Sequence, residues 1–222
     1  LADTSAMRSF SLTEDYASKS ALGEMQGENS SLIIFGNRRT IDGAQQNGFS
    51  VAAGQTVTLR DVGHYTLSEV SEGTEGAIPK FYADGTMKYY NLTINNPGMT
   101  NFLNNSGGSG SVIKSRGTVN ISDSVIQNNE IINSDDSNSF AAGGAVYSYS
   151  GVLAVNNGLF AGNTARSTVG RSYGGALYTG SSNKSTIKDS IFVNNSAIAV
   201  SGEARGGAVT NHYKITIENS VF

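Results

Sequence analysis

The C-terminal half of the chain repeats with a period of about thirty residues, and this period constrains the fold more than any other feature. The tripeptide Gly-Gly-Ala occurs three times at intervals of 31 and 32 residues, starting at Gly143, Gly174 and Gly206. A second motif, Phe-x-x-Asn, is also spaced by 32 residues and occurs at Phe160–Asn163 and Phe192–Asn195. A unit of this length cannot bury its apolar face alone, so the sequence predicts a stack of similar coils.

A short segment of alternating apolar and polar residues also recurs once in each repeat. Alternation over three to five residues is typical of a strand with one buried face. Successive segments lie 25 to 35 residues apart, and seven of them are visible. We expect their second apolar positions to form one column, which contains Ile34, Leu59, Ile94, Ile121, Val155, Ile187 and Ile217.

The pattern predicts an all-β fold, a right-handed single-stranded parallel β-helix (solenoid) with about seven coils and three short strands in each coil. Each strand would pair with its copies about 4.8 Å above and below, so that apolar side chains form columns inside. Leucine-rich and helical repeats need a different spacing of apolar residues, which this sequence lacks. The side chains expected to point inward are Leu153, Val155, Phe160, Ile187, Phe192, Ile215 and Ile217.

Both motifs predict specific backbone features. We expect Gly144, Gly175 and Gly207 at the same corner of successive coils. In each Gly-Gly pair, at least one glycine should have positive φ or lie too close to a neighbour for a Cβ. The Phe of Phe-x-x-Asn is expected inside, and its Asn is expected in a left-handed turn and stacked on the Asn of the next coil. Tyr147 and Tyr178 share one repeat position, which predicts a stacked column.

The first thirty residues differ from the repeat and are predicted to form an N-terminal cap, residues 1–30, before the β-helix of residues 31–222. A capping box at Ser11–Glu14 and a possible C-cap at Gly23 predict a short helix from Leu12 to Leu22. A β-helix needs a cap because its end exposes unpaired strand edges and an apolar interior. A disordered leader is the alternative. Because the last repeat is incomplete, the β-helix is expected to be truncated at the C-terminus.

Three patterns occur together in residues 110–222: Gly-Gly-Ala followed by Val or Leu and Tyr, Phe-x-x-Asn, and the segment Ile215-Thr-Ile-Glu-Asn-Ser-Val-Phe222. This part of the chain resembles the passengers of bacterial type V autotransporters, including polymorphic outer membrane proteins. The resemblance implies an exported or secreted protein at the bacterial cell surface or outer membrane, attached only through a C-terminal β-barrel outside this chain. It further implies non-enzymatic adhesion or self-association, with a host surface protein, a host glycan or a sister passenger as the partner.

Composition argues against several kinds of site. The chain has no cysteine for disulfides or thiolate ligands, and its net charge of -3 without a run of Lys or Arg argues against nucleic acid. The acid pair Asp135-Asp136 has no second acid cluster one coil away, and His64 and His212 are interpreted as surface histidines. We therefore predict no catalytic residue, metal site or cofactor. The alternative functions are a carbohydrate-active β-helix enzyme (polysaccharide lyase or glycoside hydrolase type) and a phage or toxin β-helix.

The stretches between each Asn and the next Gly-Gly are candidates for an interaction surface. They comprise Glu130–Ala142, Thr164–Tyr173 and Ser196–Arg205 and are predicted to be loops that stack into one ridge. Exposure is expected for Tyr149 and Tyr173. The candidate interaction residues are Asp135, Asp136, Tyr149, Arg166, Arg171, Tyr173, Glu203 and Arg205.

Overall fold

The computed structural model describes most of the C-terminal half of the chain and shorter pieces of the N-terminal half. The described residues are 7–17, 23–24, 31–42, 49–50, 56–60, 64–66, 82–83, 86–87, 91–103, 106–107, 113–115, 118–133, 140–149, 152–180 and 184–222. Every helix or strand found within these ranges is a β-strand. The predicted all-β class is therefore confirmed.

The strands are short and are numbered in chain order. The first fourteen are β1 (Met7–Ser11), β2 (Tyr16–Ala17), β3 (Gly23–Glu24), β4 (Ser31–Phe35), β5 (Thr40–Asp42), β6 (Phe49–Ser50), β7 (Thr56–Arg60), β8 (His64–Thr66), β9 (Tyr82–Ala83), β10 (Thr86–Met87), β11 (Asn91–Leu103), β12 (Ser106–Gly107), β13 (Ile113–Ser115) and β14 (Thr118–Gln127). The remaining strands are β15 (Glu130–Asn133), β16 (Phe140–Ala142), β17 (Val146–Ser148), β18 (Leu153–Asn156), β19 (Leu159–Ala161), β20 (Thr164–Ser167), β21 (Arg171–Tyr173), β22 (Leu177–Thr179), β23 (Ser185–Lys188), β24 (Ile191–Val193), β25 (Ser196–Ala199), β26 (Ala204–Arg205), β27 (Val209–Asn211) and β28 (Ile215–Glu218).

Eight of these strands form a main ladder, in which each pairs in parallel with its counterpart one coil earlier. Its order is β1-β4-β7-β11-β14-β18-β23-β28. The register aligns Phe10, Ile34, Leu59, Ile94, Ile121, Val155, Ile187 and Ile217. The column of seven positions predicted from the sequence is therefore correct at every step, and Phe10 adds one position. Parallel strands stacked in this way are the arrangement of a parallel β-helix, whose handedness stays a prediction.

Each of the two C-terminal coils contains five strands and not three. The coil of Leu153–Thr179 contains β18 to β22, and each of these strands pairs with its counterpart in the coil of Ser185–Asn211. The prediction of three strands is wrong because Thr164–Tyr173 and Ser196–Arg205 are largely strands. Their alternating small and larger side chains let these stretches pair as two further ladders.

The main apolar core lies inside the stack. Phe160 and Phe192 stack with ring centroids 4.8 Å apart and planes 5° from parallel. Ile217 shares the inward register of Ile187, but it is 44% exposed because β28 is the last strand of the main ladder. Ile215 is half-buried. Burial is confirmed for the other predicted inward residues, which are Leu153, Val155, Phe160, Ile187 and Phe192.

The Gly-Gly pairs form the predicted corner. The first glycine of each pair has a positive φ, of 61° at Gly143, 61° at Gly174 and 60° at Gly206, which glycine adopts without steric cost. The second glycines of the first two pairs approach the next coil closely, since a Cβ on Gly144 would overlap the carbonyl oxygen of Gly175, and one on Gly175 would overlap that of Gly207. The corner prediction is therefore confirmed, and in these two pairs both glycines are required for different reasons.

A buried asparagine ladder joins the coils beside this core. The Asn163 Nδ2 donates to the Asn195 Oδ1 at 3.0 Å, and the Asn129 Nδ2 donates to the Asn163 Oδ1 at 2.8 Å. The predicted stack is confirmed, but the left-handed turn lies on the preceding residue, namely Asn128, Gly162 or Asn194. The ladder asparagines must turn inward to bond neighbouring coils, so the residue before each of them makes the turn. Leaving one such buried group without a partner costs about 1–3 kcal/mol.

A second left-handed position forms a column on the outside, where aspartate and asparagine alternate. Its members have φ near 50° and are Asp123, Asn157, Asp189 and Asn219. The Asn157 Nδ2 donates to the Asp123 Oδ1 at 2.8 Å, and the Asn219 Nδ2 donates to the Asp189 Oδ1 at 3.2 Å. Like charges in adjacent strands repel. Alternation therefore keeps the two carboxylates two coils apart, or about 10 Å.

The N-terminal segment continues the ladder and is not helical where it is described. β1 pairs in parallel with β4, and β2 pairs with β5. The Leu12 amide donates to the Phe35 carbonyl at 2.9 Å. The predicted helix is wrong for residues 12–17, and residues 18–22 lie outside the described residues. An isolated helix of this length is marginal, whereas the edge of β4 offers unpaired backbone groups. The division at residue 30 stays a prediction.

Substitution of the second corner glycines should show whether their close approach to the next coil matters for stability. We expect Gly144→Ala to destabilise the chain by about 1–3 kcal/mol, because the added methyl group meets the Gly175 carbonyl. Gly207→Ala is the matched control, since the nearest atom to its Cβ is the Asn195 oxygen at 3.5 Å, an ordinary contact. Urea unfolding followed by circular dichroism measures both. Equal losses in the two variants would contradict the close-approach argument.

Truncation of the inner phenylalanine column should depend on burial. Phe192 is 3% exposed between the rings of Phe160 and Phe222, so Phe192→Ala is expected to cost about 3–5 kcal/mol. Phe222→Ala removes the same atoms from a 57% exposed site and should cost clearly less. The urea midpoints of both variants test this order. A Phe192→Ala loss below about 1 kcal/mol would show a loosely packed column.

Candidate interaction surface

The stretches between the Asn ladder and the Gly-Gly corner stack into a ridge built from β15, β16, β20, β21, β25 and β26. These strands pair coil by coil, with Glu130, Thr164 and Ser196 in register. Inside the ridge, Ile131 and Ala165 pack together with Ala141 in a small core. Small inward side chains let the two ladders approach closely. The predicted stacking is therefore present, although the described parts of these stretches are largely strands and not simple loops.

The ridge has two outward faces, because alternate side chains of a strand point to opposite sides. Ser172 is buried and its Oγ donates to the Ala165 carbonyl at 2.6 Å, so both residues face the inside of the ridge. Arg166 therefore points outward from β20, whereas Arg171 and Tyr173 point outward from β21. The candidate residues do not share one face. We call the β15–β20–β25 side the outer face.

The opposite side of the ridge lines a groove. The Gly-Gly corner turns the chain sharply between β21 and β22, so the outward face of β16–β21–β26 meets the outward face of β17–β22–β27. The Thr210 Oγ1 donates to the Arg205 carbonyl at 2.8 Å across this junction. Tyr173 and Tyr178 meet there with ring centroids 6.3 Å apart. We call this surface the corner groove.

A tyrosine cluster fills the floor of the corner groove. Tyr147 and Tyr178 stack at 4.9 Å with planes 13° from parallel, which confirms the predicted column. Each is 6% exposed although it lies outside the main core. Tyr173 packs on Phe140 at 5.7 Å, and Tyr178 lies 5.2 Å from the His212 ring. Such pairs add about 0.5–1.5 kcal/mol beyond area burial. The cluster comprises Phe140, Tyr147, Tyr149, Tyr173, Tyr178 and His212.

The polar ends of the tyrosines converge at the mouth of the corner groove. Burial is the main cause that raises the pKa of Tyr178, and the nearby phenols of Tyr149, Tyr173 and Tyr213 raise it further. Among the described residues, no hydrogen-bond partner meets the hydroxyls of Tyr173 and Tyr178. Neither hydroxyl is fully buried. The mouth therefore presents phenol hydroxyls to solvent above packed rings.

The three candidate arginines differ in their ionic partners. The Arg166 Nε bonds the Glu130 Oε1 at 3.0 Å on the outer face, and the Arg205 Nε bonds the Glu203 Oε1 at 2.6 Å at the corner groove. Arg171 is exposed on β21 and has no carboxylate partner among the described residues. Within the described part of the chain, Arg171 therefore carries a positive charge without an ionic partner, in register with Phe140 of the tyrosine cluster.

The other sequence predictions for this surface have mixed outcomes. Tyr149 is exposed as expected, at 44%, whereas Tyr173 is only 9% exposed because the cluster covers it. Asp135 and Asp136 lie outside the described residues. Sequence reasoning missed Tyr213, which is 62% exposed beside Tyr178. The repeat could have pointed to Tyr213, because it lies in the turn after β27, and β27 pairs with β22, the strand that contains Tyr178.

Three further features bear on the identity of the chain: metal-ligand groups, membrane-spanning helices and similarity to known proteins. In the part of the chain that the structure describes, no group of three or more His, Cys, Asp or Glu residues is placed to hold a metal ion. The same part contains no helix of sufficient length and hydropathy to cross a membrane. Comparisons with protein-family models, curated proteins and solved structures find no match to this chain.

The buried position of Tyr178 should make the chain less stable at alkaline pH. Its pKa is raised in the folded chain above its usual value of about 10. As the pH rises, the unfolded chain therefore loses this proton first. The stability contribution is complete below the unfolded pKa and is lost as the pH rises through the folded pKa.

Urea unfolding between about pH 8 and pH 11 measures this decline, because that interval spans the tyrosine pKa of about 10. We expect Tyr178→Phe to reduce the alkaline loss. The control is Tyr16→Phe at a 44% exposed site far along the chain, which should leave the loss unchanged. The same decline in the Tyr178→Phe variant and the unmodified chain would rule out this residue as the cause.

Proposed function

We propose that this chain is part of a bacterial autotransporter passenger that acts at the cell surface in adhesion or self-association. Its Gly-Gly-Ala and Phe-x-x-Asn repeats resemble those of such passengers. The stacked parallel coils agree with the elongated β-helix expected of them. The observation that carries the proposal is the continuous outward surface formed by the ridge and the corner groove over successive coils.

This surface is suited to binding because it is separated from the columns that hold the coils together. The main core, the Asn ladder and the Gly-Gly corner all involve inward residues or backbone. Outward side chains of a β-helix are little constrained by the fold, and their substitution usually changes stability by about 0.5 kcal/mol or less. Outward side chains can therefore vary to bind a partner with little loss of folding stability.

Of the two sides of the ridge, the corner groove is the better interaction face. On the outer face, Arg166 and Glu130 already satisfy each other in an exposed ion pair. On the groove side, Arg205 and Glu203 form a similar pair, but Arg171 has no carboxylate partner among the described residues, and Tyr149 keeps 44% of its surface exposed. Aromatic residues and arginine are the side chains most enriched at binding hot spots. We therefore place the contact with a host surface or a sister passenger in the corner groove.

Beads coated with the purified chain test the proposal. We expect them to attach to cultured epithelial cells or to clump with each other, and an excess of soluble chain should compete. The groove variant Arg171→Ser should lose most of this activity. The matched outer-face variant Arg166→Ser should keep it, since each variant removes one guanidinium from an outward face of the ridge.

Circular dichroism and urea unfolding confirm that both variants remain folded. Absence of both attachment and clumping in the unmodified chain would overturn the proposed function. Activity that is lost in the outer-face variant and retained in the groove variant would place the contact on the outer face and contradict the proposed binding face.

A further inference from the structure

The corner groove runs along the stack over successive coils, which suits an extended ligand. The two faces of the groove are ladders, so equivalent positions recur in each coil, as at Tyr147, Tyr178 and Thr210 on one side. On the other side, Ala142, Tyr173 and Arg205 are in register. One coil advances about 4.8 Å along the stack, which is close to the length of one sugar unit in a polysaccharide. The groove therefore matches a chain of sugars laid along the stack, one unit per coil.

The lining of the groove has the mixed character that sugars require. Sugar rings present C–H groups on their faces and hydroxyls at their edges. The exposed rings of Tyr149 and Tyr213 offer apolar surfaces of the same kind, at 44% and 62% exposure. The hydroxyls of Tyr173 and Tyr178 supply donors and acceptors that no described residue uses. Aromatic surface with a few convergent polar groups is typical of small-molecule and saccharide sites.

The charge at the groove determines which class of polysaccharide fits. Arg171 has no carboxylate partner in the described part of the chain, and Glu203 is neutralised by Arg205 at 2.6 Å. A guanidinium forms bidentate bonds with carboxylate and sulfate groups. The groove is therefore complementary to an anionic ligand, although the whole chain has a net charge of -3.

We propose that the corner groove binds an acidic polysaccharide, in which uronate or sulfate groups meet Arg171 and the sugar faces meet the exposed tyrosines. This inference rests on the proposed adhesive function and names the ligand of the same surface. A nucleic acid is a poorer match, because it needs several phosphate contacts along a concentrated basic face. The uronate or sulfate group of the ligand is recognised by Arg171, and the tyrosine rings orient the sugar chain along the stack.

Direct binding to three oligosaccharides tests the inference. The probes are a heparin oligosaccharide for sulfate, an oligogalacturonate for carboxylate and a maltooligosaccharide as the neutral control. The chain contains no tryptophan, and four of its ten tyrosines belong to the cluster, so a change in tyrosine fluorescence on titration follows binding at the groove in part. We expect saturable binding of at least one acidic probe, no binding of the neutral probe, and weaker binding at high salt because exposed charges are screened.

Three variants show whether the contact is specific. Arg171→Gln should weaken binding about tenfold, the loss of one charge-assisted hydrogen bond, and Arg171→Lys should restore part of it. Arg166→Gln is the matched control, since it removes the same charge from the outer face. Absence of saturable binding to either acidic probe would overturn the inference. Equal weakening by Arg166→Gln and Arg171→Gln would also overturn it, because it would indicate a general charge effect.

Cell attachment separates this inference from the function on which it rests. Treatment of the cells with enzymes that remove acidic glycans should abolish attachment of the coated beads. Attachment that survives this treatment but is lost after protease treatment would overturn the polysaccharide inference and leave adhesion intact. Beads that neither attach nor clump at all would instead refute the proposed function.

Discussion

In a parallel stack, every side chain lies on the side chain at the same position one coil away. The backbone register imposes this in the main ladder, where Val155 is aligned with Ile187 and Ile187 with Ile217. Side chains at the same position of adjacent coils must therefore be able to lie in contact. Apolar side chains do so inside, and amides do so in the Asn ladder. Aspartates do so outside only by alternating with asparagines.

The Gly-Gly corner connects the inside of the molecule to its candidate interaction surface. On the inside, glycine lets the backbone of one coil approach the carbonyl of the next, as at Gly144 and Gly175. On the outside, the same sharp turn brings two ladders together and produces the corner groove. Tyr147 and Tyr178 then bury their rings against the ridge. The feature that allows tight stacking thus also creates the concave surface, while the side chains at the mouth of the groove stay variable.

The sequence predicted the residues that recur with the repeat better than the residues whose burial depends on packing between strands. The main-ladder column was correct at every step because apolar residues at one spacing leave little choice of register. The stretch Thr164–Tyr173 was expected to be a loop, because its Ala and Ser residues give no strong apolar signal. In the structure these small residues are the ones that let the ridge close.

Capping patterns and exposure were predicted less well. The capping box near Leu12 is a local signal, and pairing of the neighbouring segment with β4 outweighs it, since a sheet edge satisfies more backbone groups than one isolated helical turn. Tyr173 was expected to be exposed because its cover comes from Phe140 and Tyr178 in other strands. The corner groove itself depends on how two ladders meet, which no single repeat encodes.

The spacing of the main ladder also affects how the gene can change in length. Asn156 and Lys188 are aligned in adjacent coils, so loss of the codons for residues 156–187 would join Val155 directly to Lys188. Every column would keep its register, and the stack would be shorter by one coil. Duplication of the same codons would lengthen it by one coil. Unequal recombination between similar repeats can therefore vary the length of such a protein in whole coils, whereas a deletion of half a coil would put strands and corners opposite the wrong parts of the neighbouring coils.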